Sequence, residues 1–112
     1  MSQLIKGERV KIYTALLTQT GTSAPVANVL ENTLGGTVVW TRIDVGNYVA
    51  TLTGAFTLNK TFVFVSCNIF DGVFIVGANP VDANTIELYT WDFVEVVEMA
   101  GDLVFVEIRV YP

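Results

Sequence analysis

Glu87, Asp92, Glu95, Glu98, Asp102 and Glu107 all fall in the last third of the chain. Two carboxylates suitably spaced are enough for glycoside hydrolysis, one as acid and the other as base or nucleophile. Such an enzyme also needs a deep aromatic cleft, for which 112 residues leave little room. A solvated acidic face that keeps an apolar chain in solution is the simpler reading. The sequence has no histidine, which excludes Ser-His-Asp and Cys-His catalysis and removes the commonest transition-metal ligand. Lys6, Lys11 and Lys60 lack a partner in sequence that would activate an amine. Gly35-Gly36-Thr37 lacks the lysine and spacing of a phosphate loop. The residues therefore nominate no catalytic group, no cofactor site and no metal site.

Three weaker motifs each have a structural explanation. Asn79, Asp82 and Asn84 could offer oxygens to a hard cation, but their spacing is not that of an EF-hand and suits an ordinary turn. Asn59-Lys60-Thr61 is formally a glycosylation sequon, expected to be coincidental in a chain with no secretory signal. Cys67, the single cysteine, ends the run Phe62-Val63-Phe64-Val65-Ser66 and reads as a small buried hydrophobe rather than a reactive thiol. A lone thiol without a signal peptide fits synthesis in a reducing cytoplasm.

The aromatic residues Tyr89, Trp91 and Phe93 are more informative. In a strand starting at Thr85, Ile86 and Leu88 share one face while Glu87, Tyr89, Trp91 and Phe93 share the other. With Ile86 and Leu88 in the core, three aromatics line up outside. They could form an oligomer interface, a second buried face or a carbohydrate platform. The interface reading is preferred.

The elements that would position these residues are strands. Val, Ile, Thr, Phe and Tyr dominate, and Gly, Asn, Asp or Pro recur every eight to twelve residues or so, the punctuation of a sandwich or barrel. The last strand, Leu103 to Tyr111, is the clearest. Its alternation puts Val104, Val106, Ile108 and Val110 in the core, and its other face should meet a neighbouring chain at one end and water at the other. Earlier strands are expected at Val10–Thr18, Val26–Glu31, Thr37–Asp44, Tyr48–Thr53, Lys60–Asn68, Val73–Val76, Thr85–Asp92 and Val94–Met99. Phe62 to Ala78 is apolar apart from Asp71, but it is short for a membrane span and broken by the hairpin signal Asp71-Gly72. Two buried strands and a turn account for it, and no membrane segment is expected. The fold class is all-β: an antiparallel sandwich of eight or nine short strands, jelly-roll-like. Residues 1–8 are expected as a tail and residues 9–112 as one domain.

Composition points to assembly. Hydrophobic residues make up 52% of the chain and charged ones 15%, with a mean hydropathy of +0.53. That is more apolar material than one small core uses, and the excess is expected to meet other chains. The net charge is −5. Of the basic residues, Lys6, Arg9 and Lys11 cluster near the start, whereas Arg42, Lys60 and Arg109 are scattered, so nucleic-acid binding is not expected.

Several stretches resemble small virion domains of tailed phages that infect Bacteroidetes, including crAss-like phages. They are Tyr13 to Gln19, Val29 to Trp40, Gly46-Asn47-Tyr48, Leu52 to Thr61 and the ending Val106 to Tyr111. The resemblance implies a non-enzymatic capsid-surface, head-fibre or tail-appendage subunit, made in the host cytoplasm and carried in the virion. It also implies a homotrimer of jelly-roll-like sandwiches docked on other virion proteins, with no catalytic residues to carry over. Because the sequence runs from first to last strand with little beyond, a small capsid-surface or adaptor subunit is expected over a whole fibre. A module that recognises host surface glycans is the alternative.

Overall fold

The computed structural model describes residues 9–68, 75–92, 95–99 and 103–112. The described residues form an all-β sandwich of eight antiparallel strands in two four-stranded sheets. The strands are β1 Lys11–Thr18, β2 Val26–Asn32, β3 Val39–Asp44, β4 Asn47–Thr51, β5 Thr61–Cys67, β6 Ile75–Pro80, β7 Thr85–Trp91 and β8 Val104–Val110. The first sheet has the order β2-β1-β8-β5 and the second β3-β4-β7-β6. Chain neighbours β1–β2, β3–β4 and β6–β7 pair within a sheet, so the chain changes sheets at β2–β3, β4–β5, β5–β6 and β7–β8.

Position in the sheet explains how each strand is patterned. The central strands β8, β4 and β7 alternate strictly between buried and half-buried residues, as β1 does between its exposed ends. One face of each lies between the sheets while the other looks outward. Val104, Val106, Ile108 and Val110 are buried as expected, opposite Ile86 and Leu88 from the second sheet. Tyr13, Leu17, Tyr48 and Phe56 fill the rest of the gap. Trp40 donates its indole N–H to the Tyr13 hydroxyl at 3.1 Å, so a hydrogen bond ties the two sheets inside the core.

Two strand expectations are corrected. Val94–Met99 does not form a strand over its described residues, where Val96 makes one isolated bridge to Trp91. The segment turns back across the end of β7 instead. The Asp92 carboxylate caps the Glu95 N–H at 2.8 Å, and Val97 N–H donates to the Thr90 carbonyl at 3.1 Å. The expected break from Gly77 to Asn84 begins too early, because β6 continues to Pro80. Proline is tolerated at the end of an edge strand, where its missing N–H costs no ladder bond. The expected tail 1–8, the Asp71-Gly72 turn and Val73 lie outside the described residues.

The turn between β3 and β4 needs its glycine. Gly46 has φ +63°, and a Cβ there would stand 2.7 Å from the carbonyl oxygens of both Thr90 and Val97. This close approach lets Gly46 accept the Thr90 N–H at 3.0 Å and seats the 95–99 segment against the β3–β4 turn.

Candidate functional site

The register of β7 turns Glu87, Tyr89 and Trp91 to the outer face of the second sheet, as expected; Phe93 lies outside the described residues. Both rings are half-buried on their own sheet. They stack on each other with centroids 5.5 Å apart and planes 21° from parallel. Gly77, paired with Tyr89 on edge strand β6, leaves room for the Trp91 ring, whose nearest carbon is 3.6 Å from where a Cβ would stand. On the other side of Tyr89 lies Asn47, whose buried side-chain oxygen has no hydrogen-bond partner among the described residues.

Neither Arg42 nor Arg109 pairs with Glu87: Arg42 pairs with Glu98 at 2.8 Å and Arg109 with Glu107 at 3.0 Å. Glu87 accepts the Tyr89 hydroxyl instead, because the two side chains are two residues apart on one face.

A further exposed apolar surface is on the other sheet, and sequence reading missed it. Phe62 and Phe64 on β5 are 54% and 56% exposed, and Leu30 on β2 is 62% exposed. A shallow groove of about 320 Å³ between these strands is lined by Thr14, Leu16, Leu30, Phe64, Phe105 and Glu107. The Phe62–Cys67 run was expected to be buried. Only Val63, Val65 and Cys67 pack against the core, since β5 is an edge strand whose outer face nothing described covers. The mixed outer face of β8, anticipated to meet a neighbour at one end, is the floor of this groove at Phe105. Its charged end is closed by the Glu107–Arg109 pair.

The remaining carboxylates are spread over different parts of the molecule. Glu87 is on one outer face, Glu107 is on the other, and Asp92 and Glu95 sit beyond the end of β7. Asp102 lies outside the described residues. Glu98 is built into a polar cluster, accepting from Arg42, from the Gly46 N–H at 3.2 Å and from the Tyr48 hydroxyl at 2.9 Å. Among the described residues no three acidic or thiol side chains gather as a metal site would require. The Asn79–Asn84 loop is held by turn bonds: Asp82 accepts from the Asn84 N–H and the Thr85 hydroxyl, and Asn84 accepts from the Gly54 N–H. Those donors, the Asn84 N–H first, hold the Asp82 carboxyl below its ordinary range.

Comparison with protein families, with curated proteins and with solved structures returned no match.

Proposed function

We propose that this chain is a non-enzymatic structural subunit of a tailed-phage particle, at the capsid surface, in a head fibre or in a tail appendage. It works by associating with itself, as a trimer, and by docking on other virion proteins. The observation that carries this reading is the uncovered apolar face of the first sheet, where Phe62, Phe64 and Leu30 are each more than half exposed. Exposed aromatics clustered on one face mark contact surfaces rather than solvated ones. Burying some hundreds of Å² per subunit, at about 25 cal/mol per Å², offers on the order of 10 kcal/mol before association costs. A cyclic trimer repeats one such patch around its axis.

Light scattering on the purified protein is expected to give a mass near three times 12.2 kDa. A stable monomer at micromolar concentration overturns the assembly reading. Phe64→Ser and Trp91→Ala then locate the interface. Loss of the trimer in the first places it on the first sheet, and loss in the second places it on the Tyr89–Trp91 face.

One observation favours a second reading, recognition of host surface glycans. The stacked Tyr89 and Trp91 rings lie beside an Asn47 oxygen that has no partner among the described residues, and sugars bind through ring faces and hydroxyl donors. Glycan binding lost in Trp91→Ala, with the mass unchanged, would favour this module.

A further inference from the structure

Five basic side chains fall among the described residues, and two of them are paired, Arg42 with Glu98 and Arg109 with Glu107. The other three, Arg9, Lys11 and Lys60, all line one cleft of about 220 Å³ at an end of the sandwich. None of the three forms an ion pair among the described residues. Sheet pairing brings them together. Val110 at the end of β8 is flanked by Lys11 of β1 on one side and by Thr61 of β5 on the other. The Tyr111 N–H then donates to the Lys60 carbonyl at 2.8 Å, fixing the backbone that carries the third cation. Gly54, Ala55, Thr57, Val110, Tyr111 and Pro112 complete the lining.

Three like charges converging with no ion-pair partner among the described residues are unfavourable, the more conspicuously in a chain whose net charge is −5. Glu31 stands on the far side of Arg9 and Lys11, in a neighbouring depression, and pairs with neither. The backbone donors beside the cleft are already used, Gly54 N–H by Asn84 and Lys60 N–H by Thr57. Charge is therefore left to the side chains: a guanidinium fork suited to a planar or tetrahedral oxyanion, and two mobile ammonium groups.

We infer that this cleft binds an oxyanion, of carboxylate or sulfate type. A nucleic-acid backbone would need a basic strip running well beyond one cleft. The anion has two possible sources, a dissolved ion or the carboxylates of another copy of this chain. The opposite end of the sandwich supplies such carboxylates, with Asp44 at the end of β3 and Asp92 and Glu95 beyond β7. Copies joined basic end to acidic end would stack along the strand direction, a contact separate from either sheet face. The inference does not depend on the virion reading.

Sodium sulfate titrated into the isotopically labelled full chain, against sodium chloride of equal ionic strength, tests the site by amide chemical shifts. Saturable shifts are expected at Gly54, Thr57, Lys60 and Tyr111, and are expected to vanish in the Lys11→Gln/Lys60→Gln double variant. The rest of that variant's spectrum reports whether it is folded. Absence of saturation in the wild type, or the same shifts in a folded double variant, overturns the site. Sedimentation velocity at low salt identifies the source. Association that grows with protein concentration, is reversed by sulfate and is missing in the double variant identifies another copy as the ligand. Saturable sulfate binding with concentration-independent sedimentation identifies a dissolved anion.

Discussion

At the residue scale, Tyr48 is the most constrained polar group in the core. Its hydroxyl donates to Gln19 Oε1 at 2.7 Å and Glu98 Oε1 at 2.9 Å, and accepts the Met99 N–H at 3.0 Å. One proton thus serves two acceptors, and the three groups pin the 95–99 segment over the core. Burial is the main cause pushing the Tyr48 hydroxyl up to about 12, with Glu98 adding to it and the Met99 N–H opposing it. For Glu98, burial pushes the carboxyl up. The Gly46 N–H, the Tyr48 hydroxyl and Arg42 together outweigh it and bring the group below its ordinary range. The two groups shift in opposite directions, so they act at opposite ends of the pH scale. A raised tyrosine contributes stability in full below its unfolded value of 10.0, and that contribution is lost as pH rises toward about 12. A depressed glutamate contributes above its unfolded value of 4.5, and its share is lost as pH falls through the lower folded value. Tyr48→Phe is expected to cost about 1–3 kcal/mol at neutral pH by removing the hydroxyl's hydrogen bonds from the buried cluster, leaving the Met99 N–H only its 3.2 Å bond to Gln19 Oε1. Urea titrations across the alkaline range should show a shallower loss in that variant, the remainder arising from Tyr13, also raised chiefly by burial.

At the element scale, the fold depends on its central strands and on the turn that braces them. Ile108, fully buried in β8, pairs with Tyr13 and Val63 on its two sides. Ile108→Ala is expected to cost about 2–5 kcal/mol by the large-to-small rule for cores. Gly46→Ala tests the close approach of the β3–β4 turn. The new Cβ would meet two carbonyl oxygens at 2.7 Å in a left-handed backbone, and the expected cost is about 2 kcal/mol or more. Gly21 has a similar φ of +58° but nothing within 4 Å of a Cβ. Gly21→Ala should therefore carry only the backbone penalty, about 1 kcal/mol. Equal costs at the two glycines, read from urea midpoints, would show that the contact with Thr90 and Val97 contributes nothing.

At the scale of the whole molecule, the sandwich buries one apolar face of each sheet and leaves the other to be dealt with. The second sheet covers part of its outer face itself, by stacking Tyr89 on Trp91 over Gly77. The first sheet leaves Phe62 and Phe64 more open. Phe64→Ser should therefore reduce the mass measured by light scattering more than Trp91→Ala does, with little cost to the stability of the subunit. The basic cleft adds a third surface at an end of the sandwich, so changes there should alter salt-dependent association without dissolving a trimer held by a sheet face.

Local pattern in the sequence determined the strand content, the inward face of β8 and the inward face of β7. Each rests on period-2 alternation, and alternation is written into a strand wherever exactly one face is buried. Edge strands carry no such signature. Phe62-Val63-Phe64-Val65 is apolar at every position, so the sequence does not say that Val63 and Val65 turn inward while Phe62 and Phe64 turn out. That choice was made by the order β2-β1-β8-β5, which puts β5 at the rim with its outer face uncovered. Likewise Arg9 and Lys11 lie far from Lys60 along the chain, and Glu98 lies far from Arg42. Only the pairing of β1 and β5 with β8 gathers the first set, and only the return of the 95–99 segment over the β3–β4 turn joins the second. Charges carry no register of their own, and their meeting depends on which strand ends the tertiary fold places side by side.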